Sequence, residues 1–548
     1  MAYTIADLIE HAVDLVPDRI ALETADAELT YAQLEEQANA LAHTLQELGV
    51  QPGDPVGLYS RNTLECTVAM IAVFKARAVM ANVNYRYVEA ELEHIVTDSG
   101  MKVLIHERQY SDKVAAVLAS SQHQVAGLIV LDDDSGLPAP DGAITYTEAV
   151  ARGSRERDFG ERSDDDLYML YTGGTTGAPK GVIWRQEDIF RVLGGGIDFH
   201  TGEPITDEWQ LARDGAENPQ LVRFPIPPFI HGGSQWAIFQ SLFACGKSVV
   251  YPEFGGHSSW EAIERHKVNV VMITGDAIGR PMVDALAAGR RDGSAYDTSS
   301  VITIASSAAL FSAAVKDQFL DLLPNLLIVD AIGSSETGFS GMGFAQKGAT
   351  EAGPPRVTAD REAHVLREDG TPVERGSGEV GILARTGHIP LRYHNDPVKS
   401  EKTFKVFGGV RYSIPGDLAT IDADGTITML GRGSQSINTG GEKVFPEEVE
   451  SAVKAHPEIF DATVVGVPDD RFGQRVAAVV STRGGRRPSL SEINEVARER
   501  IAGYKCPRSI WFVDEVKRSP AGKPDYRWAA QVAASGEPDE RLVPAAQS

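Results

Sequence analysis

A segment rich in glycine and threonine, residues 171–182, has the composition of an anion-binding loop. It reads Tyr-Thr-Gly-Gly-Thr-Thr-Gly-Ala-Pro-Lys-Gly-Val and follows an apolar strand predicted over residues 167–171. Glycines let backbone amides approach an anion, threonine hydroxyls donate further hydrogen bonds, and Lys180 adds a mobile positive charge. Proline precedes this lysine, so the spacing differs from that of the common P-loop. The segment therefore predicts a phosphate-binding loop in preference to a flexible surface loop.

Four later residues have side chains that would complete such a site. Glu336 ends a predicted strand, and its carboxylate is the hard oxygen ligand that Mg²⁺ takes. Asp417 lies in a tight turn where it would accept hydrogen bonds from ribose hydroxyls. Arg432 lies among glycines, and Lys523 belongs to a basic turn. Each has an ordinary alternative: a solvated acid, an Asx turn, a surface ion pair and a solvated loop, respectively.

Alternating secondary structure must position these residues. From residue 30 to about residue 330, amphipathic helices alternate with apolar strands, which predicts an α/β fold with a largely parallel, helix-covered sheet that continues through the glycine-rich segment. A helix over residues 30–48 is expected to begin with a capping box of Thr30 and Gln33. Past residue 368, short apolar runs between Asp-Gly turns predict an antiparallel, barrel-like portion ending near residue 430.

Clustered glycines between residues 431 and 446 indicate a domain boundary. We divide the chain into a large N-terminal domain over residues 1–432, a small α+β C-terminal domain over residues 433–530 and a disordered tail over residues 531–548.

Composition excludes several functional classes. The 548 residues carry a formal charge of -25 without a basic run, which argues against nucleic-acid binding. Three dispersed cysteines indicate neither a disulfide framework nor a zinc site, and they fit a reducing cytoplasm. No run approaches the ~20 apolar residues of a membrane span, and the N-terminus reads as an amphipathic helix, not a signal peptide. Peripheral membrane contact and a homodimer stay open.

Together, in this order, the motifs resemble those of the AMP-forming acyl-CoA synthetases, within the adenylate-forming superfamily. The resemblance extends over about residues 5–527. The segments 226–232, 275–277 and 330–336 are similar to those of the actinobacterial branch that activates sterol side-chain carboxylates. The resemblance implies that ATP and coenzyme A are substrates and that Mg²⁺ is a cofactor. It also implies that a large hydrophobic acid is joined to coenzyme A through an acyl-adenylate. Lipid metabolism, including fatty acid and steroid metabolism and cholesterol catabolism, is the implied setting.

The resemblance also implies residue roles and a C-terminal domain that rotates between two steps. The implied catalytic residues are Lys523, Glu336 and His231, with Glu336 as the metal ligand. The implied ATP-binding residues are Thr172, Gly173, Gly174, Thr175, Thr176, Gly177, Lys180, Ser307, Asp330, Ser335, Asp417 and Arg432. Coenzyme A would meet Gly440, Gly441 and Lys443. The acyl pocket would include His231, Trp236, Gly275 and Ala308.

Three positions depart from the family pattern: Ile332 replaces an aromatic residue at the adenine wall, Gln435 replaces the usual hinge Asp or Lys, and Arg77 replaces a frequent Gly. At Arg77 we expect either an exposed turn or locally altered packing.

The alternatives that stay open are a medium- or long-chain fatty acid as substrate, a luciferase-like oxygenase and a noncatalytic acyl- or nucleotide-binding protein. An amino-acid adenylation domain is disfavoured because residues 225–240 contain no carboxylate to pair with an amine.

Overall fold

A computed structural model describes residues 3–172, 179–197, 203–290, 292–347, 356–432, 435–439, 442–469, 473–519 and 522–541. Within these ranges, every helix is too short or too polar to cross a membrane. The helices are α1 (Ile5–Leu15), α2 (Tyr31–Glu47), α3 (Leu64–Lys75), α4 (Glu89–Ser99), α5 (Ser111–Ser120), α6 (Tyr146–Arg152), α7 (Gln186–Leu193), α8 (Gln210–Glu217), α9 (Gly232–Phe243), α10 (Gly256–His266), α11 (Gly275–Ala288), α12 (Ala313–Leu322), α13 (Pro397–Thr403), α14 (Pro446–Val453), α15 (Leu490–Arg498) and α16 (Tyr526–Ser535).

The strands form four sheets. They are β1 (Ile20–Glu23), β2 (Glu28–Thr30), β3 (Pro55–Tyr59), β4 (Val79–Asn82), β5 (Val103–Glu107), β6 (Gly127–Leu131), β7 (Ile144–Thr145), β8 (Leu167–Thr172), β9 (Lys180–Arg185), β10 (Val222–Pro225), β11 (Lys247–Val249), β12 (Val270–Ile273), β13 (Thr303–Ser306), β14 (Leu327–Ser334), β15 (Gly338–Ala345), β16 (Arg356–Ala359), β17 (Ala363–Leu366), β18 (Gly381–Arg385), β19 (Arg392–Tyr393), β20 (Phe404–Phe407), β21 (Val410–Ser413), β22 (Asp417–Ile421), β23 (Thr426–Arg432), β24 (Ile437–Thr439), β25 (Glu442–Val444), β26 (Ile459–Asp469), β27 (Gly473–Thr482), β28 (Ser509–Phe512) and β29 (Glu540–Arg541).

Two parallel sheets with helical connections confirm the predicted α/β class. One has the order β4-β3-β5-β6-β7. The other has β2 at its edge, antiparallel to β1, and continues in parallel through β1, β11, β10, β12, β13 and β14. Helix α2 begins with the predicted capping box, in which Thr30 accepts from the Gln33 amide and Gln33 accepts from the Thr30 amide. Buried aliphatic residues on β3, β5 and β6 pack against helices, which explains their near-continuous apolar sequences.

The glycine-rich segment does not continue the parallel alternation. Strands β8 and β9 pair antiparallel, with Thr172 opposite Lys180, and belong to a separate sheet of order β19-β9-β8. The physical reason is the length of the connection: a parallel crossover needs about a dozen residues, whereas this loop is shorter.

Antiparallel strands follow β14, as the Asp-Gly turns predict. They extend the large sheet in the order β15-β16-β23-β22-β18-β21-β20, and β17 pairs with β18. Among the described strands, the path ends at β20 without returning to close a barrel. The predicted antiparallel strands are therefore present, but they extend an open sheet and form no closed barrel among the described strands.

The C-terminal portion has its own sheet of order β25-β24-β27-β28-β29, with β26 beside β27. Its first described strand, β24, follows the predicted boundary. The expected disorder over residues 531–548 is wrong for its first part, because α16 continues to Ser535 and β29 pairs with β28. The buried side chain of Ala529 and the apolar residues after it anchor this helix against the sheet. Residues 542–548 lie outside the described ranges.

Candidate active site

The carboxyl ends of adjacent parallel strands bring several candidate residues to one edge of the large sheet. His231 precedes α9 after β10, Gly275 follows β12, Ser307 follows β13, and Asp330 lies on β14. The Gly275 amide donates to Ser306 Oγ at 3.0 Å, which joins the ends of β12 and β13. In open α/β sheets, ligands bind in the crevice outside such strand ends.

Gly275 and Ala308 have backbone conformations that bring the strand-end turns together. Gly275 has φ +50°, and a Cβ there would lie 2.3 Å from the Leu310 carbonyl oxygen. Ala308 has φ +67°, a left-handed conformation unusual for a residue with a side chain, and it is exposed at the edge. The turn after β13 therefore lies against the start of α11 and presents Ala308 to the crevice.

The ends of the glycine-rich loop are fixed by an antiparallel hairpin and an ion pair. Thr172 lies opposite Lys180 in the β8–β9 register. Lys180 Nζ forms a salt bridge with Asp396, which also caps α13 by accepting from the Lys399 amide at 2.8 Å. The Lys180 ammonium and the Lys399 amide lower the pKa of Asp396. Gly173, Gly174, Thr175, Thr176 and Gly177 lie outside the described residues.

Glu336 is buried beside this hairpin, with 7% of its surface exposed, and so is not the solvated acid of the ordinary alternative. Tyr393 donates a hydrogen bond to Glu336 Oε1 at 2.7 Å, and Ser413 Oγ donates to the Glu336 carbonyl. Trp184 on β9 donates from Nε1 to the Ser335 carbonyl at 2.9 Å. The loop hairpin and the strand end carrying Ser335 and Glu336 are thus directly connected.

Two further ATP-binding candidates face each other across a strand pair. Asp417 and Arg432 are partners in the β22–β23 register, and only the backbone of Arg432 is described. Asp330 forms a salt bridge with Lys316 on α12, while burial raises the pKa of its carboxyl group. Asp330 thus already has a cationic partner within the protein.

The loop carrying Lys523 reaches the same strand ends from the C-terminal portion. Lys523 is exposed, and the adjacent Gly522 lies so near α11 that a Cβ on it would be 3.0 Å from the Ala277 Cβ. Arg518 donates to the Gly522 carbonyl at 2.9 Å and pairs with Asp461 at 2.6 Å, which fixes the loop on its own domain. Lys523 therefore belongs to the same crevice as Gly275.

The structure does not place the remaining candidates for the acyl pocket and for coenzyme A binding at these strand ends. Trp236 is 2% exposed and packs edge-on against Tyr168 and Phe239 at centroid distances of 5.7 and 5.5 Å, which is a core environment. Gly440 and Gly441 lie outside the described residues, and for Lys443 only the backbone, on β25, is described.

The donor set fits a nucleotide with Mg²⁺. Glu336 is a buried carboxylate, the ligand type that Mg²⁺ takes, and Lys180 and Lys523 are cations suited to phosphate oxygens. Within the described ranges there is no group of three His, Cys, Asp or Glu residues that would hold a metal alone.

Sequence reasoning missed Tyr393 and Asp396, which contact Glu336 and Lys180. Asp396 precedes Pro397, and an Asp before a Pro at the first helical turn is a helix-start signal that would have marked it as a cap. Tyr393 carries no comparable signal, because its partner is 57 residues away in the chain.

Comparison with known proteins gives consistent matches along the chain. Residues 9–389 match the family model described as AMP-binding enzyme, and residues 448–523 match that of the AMP-binding enzyme C-terminal domain. A 3-oxocholest-4-en-26-oate CoA ligase from Rhodococcus rhodochrous is 62% identical over 531 residues, which cover 96% of each chain. A relative from Mycolicibacterium smegmatis, named a medium/long-chain-fatty-acid CoA and 3-oxocholest-4-en-26-oate CoA ligase, is 55% identical over 98% of each chain.

Solved structures share the fold. An anthranilate CoA ligase in complex with anthranoyl-AMP aligns with a TM-score of 0.82 over 98% of each chain, at 22% identity. ATP-bound MatB from Rhodopseudomonas palustris aligns with a TM-score of 0.78 over 97% of this chain and 100% of that one, at 24% identity. The family matches and the close relatives agree with the crevice described above: this chain belongs to the AMP-binding enzymes and is an AMP-forming acyl-CoA synthetase.

Proposed function

We propose that this enzyme joins coenzyme A to a large hydrophobic carboxylic acid in two steps, and that a sterol side-chain carboxylate is its preferred acid. Two observations carry the proposal: the β19–β9 strand pair connects Lys180 with the buried Glu336, and the loop carrying Lys523 lies against Ala277, beside the strand-end turn at Gly275.

In the first step, the substrate carboxylate attacks the α-phosphate of ATP, and pyrophosphate leaves. Lys523 contacts the carboxylate and α-phosphate oxygens, where negative charge accumulates. Residues 172–180 hold the leaving phosphates with backbone amides, hydroxyls and Lys180. Asp417 accepts hydrogen bonds from the ribose, and Ser307, Asp330, Ser335 and Arg432 border the nucleotide. Fixed donors aimed at developing charge supply most of the rate enhancement in such sites.

Glu336 is the proposed ligand of Mg²⁺, which supplies charge neutralisation at the phosphate oxygens. Tyr393 orients this carboxylate by its hydrogen bond to Oε1. Glu336 would thus supply one carboxylate ligand, and substrate phosphates and water would complete the coordination.

In the second step, the thiol of coenzyme A attacks the acyl carbonyl carbon, and AMP leaves with the bond electrons. We assign residues 1–432 to the nucleotide and acyl site and residues 433–530 to a mobile domain that withdraws Lys523 before this step. Gly440, Gly441 and Lys443 are the proposed contacts for coenzyme A. His231, Gly275 and Ala308 are the proposed borders of the acyl pocket, and Trp236 supports it from the core.

The preference for a sterol acid is favoured by the names of the relatives from Rhodococcus rhodochrous and Mycolicibacterium smegmatis. The second name also favours medium- and long-chain fatty acids as alternative substrates. We propose a cytoplasmic location, which supplies both ATP and coenzyme A, with membrane contact limited to the surface that meets a lipid substrate.

The test is a product screen with the purified full chain, ATP, Mg²⁺ and coenzyme A. The panel contains 3-oxocholest-4-en-26-oate, octanoate, palmitate and benzoate, and thioester and AMP are measured together. We expect thioester and AMP in equal amounts, with the highest kcat/KM for the sterol acid. A higher kcat/KM for palmitate would select the fatty acid alternative, and no product from any acid would favour a noncatalytic binding protein.

A further inference from the structure

A buried salt bridge joins the two portions of the chain directly beneath the Lys523 loop. Lys454, the residue after α14, lies with Nζ 2.8 Å from Asp276 Oδ2 in the first turn of α11. The two side chains are 1% and 5% exposed. Burial raises the pKa of Asp276, but Lys454 and Arg280 more than offset this effect, so the pKa lies below its ordinary value. The ionised form of Asp276 is therefore favoured, and both side chains are removed from water.

The N-terminal portion prepares Asp276 for this contact. Its Oδ1 accepts hydrogen bonds from the Ser312 amide at 2.9 Å and from Ser312 Oγ at 3.1 Å. Its own amide donates to the Leu310 carbonyl at 2.9 Å. These contacts tie the carboxylate to the turn after β13 and direct Oδ2 towards the C-terminal portion. Asp276 is thus held in place by groups that do not depend on Lys454.

The same helix makes the neighbouring contacts with the C-terminal portion. Ala277 lies against Gly522, as described above, and Asp284 pairs with Arg483 at 3.2 Å. The Arg280 guanidinium lies over the Phe460 ring, 6.0 Å from its centroid. Helix α11 is therefore a surface on which the C-terminal portion rests, and the Asp276–Lys454 pair is a buried contact at its first turn.

The energetics of a buried pair favour a role in orientation over a role in stability. The desolvation cost of two buried charges largely offsets their attraction, so an intact pair adds little net stability. Without Lys454, the buried Asp276 keeps only the more distant Arg280, whose Nη2 lies 4.0 Å from Oδ2, so the loss of Lys454 is unfavourable and the pair favours the arrangement in which the two groups meet. Such a pair restricts the C-terminal portion to one orientation.

We propose that Asp276 and Lys454 are positioning residues that hold the C-terminal domain in the orientation of the first step, with Lys523 in the crevice. The proposal rests on the two-step function above. When the domain rotates for the second step, Lys454 leaves Asp276 and both groups become hydrated, so the pair contributes to adenylate formation and not to thioester formation.

The test separates the two half-reactions in full-length variants. Asp276→Asn keeps the oxygen that accepts from Ser312 but loses the charge, and Lys454→Met keeps a long side chain without the ammonium group. Adenylate formation is measured as pyrophosphate release from ATP and 3-oxocholest-4-en-26-oate without coenzyme A. Thioester formation is measured from coenzyme A and the supplied adenylate of the same acid. Thermal unfolding of each variant verifies folding.

We expect adenylate formation to fall about tenfold or more in each single variant, while thioester formation stays within about twofold of wild type. The double variant should lose no more than the worse single variant, because the second change acts on a pair already broken. Lys454→Arg, which keeps the charge, should recover most of the activity. Lys267→Met, which breaks the exposed Lys267–Asp297 pair at 2.6 Å, is the matched control and should change neither half-reaction.

The proposal would be overturned if both half-reactions lost activity equally and in proportion to a lowered melting temperature. The pair would then have only a structural role. Unchanged adenylate formation in both single variants would also overturn it. Failure of the proposed function is distinct from either result, because the wild-type protein would then release no pyrophosphate with any acid of the panel.

Discussion

Tyr393 donates a hydrogen bond from its hydroxyl to Glu336 Oε1 at 2.7 Å, and both side chains are buried. This contact links β19, which pairs with the loop-bearing strand β9, to the end of β14. The proposed metal ligand is therefore oriented by the same hairpin sheet that carries the phosphate-binding loop, so the loop and the carboxylate form one structural unit.

Tyr393→Phe should raise the Mg²⁺ concentration that the reaction requires. Without the hydroxyl, the Glu336 carboxylate loses a donor worth about 1.5 to 3 kcal/mol and samples other rotamers. We expect the Mg²⁺ concentration for half-maximal adenylate formation to rise about tenfold, measured by pyrophosphate release. Tyr504→Phe, at an exposed C-terminal position, is the matched control. An unchanged Mg²⁺ dependence would contradict the orienting role of Tyr393.

Lys523→Ala should separate the two steps. The alanine removes the ammonium group proposed to contact the carboxylate and α-phosphate oxygens, so adenylate formation should fall by about two to three powers of ten, the scale seen when a transition-state donor is lost. Thioester formation from supplied acyl-adenylate should stay within a fewfold of wild type. Comparable losses in both assays would mean that Lys523 acts equally in both orientations.

Glu447 predicts a pH dependence of stability at the domain boundary. Its carboxylate is buried, and burial together with the nearby Glu450 and Asp417 carboxylates raises its pKa from 4.5 to about 8. Tyr526, whose own pKa is raised by burial, lies beside it. Since the folded-state pKa exceeds the unfolded one, the stability from the neutral form is fully present below pH 4.5 and is lost as pH rises through 8.

Glu447→Gln removes this titration while keeping a neutral side chain of similar size. In the wild type, the contribution of this group to the free energy of unfolding should fall by about 2 kcal/mol between pH 6 and pH 8. The variant should therefore be the more stable protein at pH 9, with a shallower decline of the melting temperature from pH 6 upward. If the melting temperature of the variant declined with pH as steeply as that of the wild type, Glu447 would be excluded as the titrating group.

Much of the fold and of the site depends on residues that are close together in the sequence, and these parts could be predicted. The capping box at Thr30 and the strand preceding the glycine-rich loop depend on neighbouring residues, and the prediction of an antiparallel portion followed from its Asp-Gly turns. The contacts of Tyr393 with Glu336 and of Lys454 with Asp276 join distant parts of the chain, and the types of the partners do not reveal the pairing. The strand β29 was missed for the same reason, because its polar sequence pairs through backbone groups.

Arg77 shows how a departure from the family pattern is compensated. It has φ +57° after α3, where relatives often carry Gly, and it pairs with Asp166 at 2.8 Å. The Arg77 side chain is 27% exposed and that of Asp166 is 9% exposed, so the pair covers the turn, while the expectation of an exposed turn or altered packing stays a prediction. Arg77→Ala should be less stable than Arg77→Gly by about 1 kcal/mol, because both lose the salt bridge but only alanine keeps a Cβ in the left-handed conformation.

Urea unfolding of both variants measures this difference directly. Each is compared with the wild type at the same pH, and the difference between the two variants isolates the backbone contribution. An alanine variant as stable as the glycine variant would show that the left-handed turn relaxes when the arginine is removed.

The central claim is tested most directly by the stoichiometry of one reaction. Wild-type enzyme is given 3-oxocholest-4-en-26-oate, ATP, Mg²⁺ and coenzyme A, and AMP, pyrophosphate and the CoA thioester are quantified together. We predict one AMP and one pyrophosphate for each thioester formed. Formation of ADP and phosphate in place of AMP and pyrophosphate, or no thioester from this or any other acid in the panel, would contradict the account.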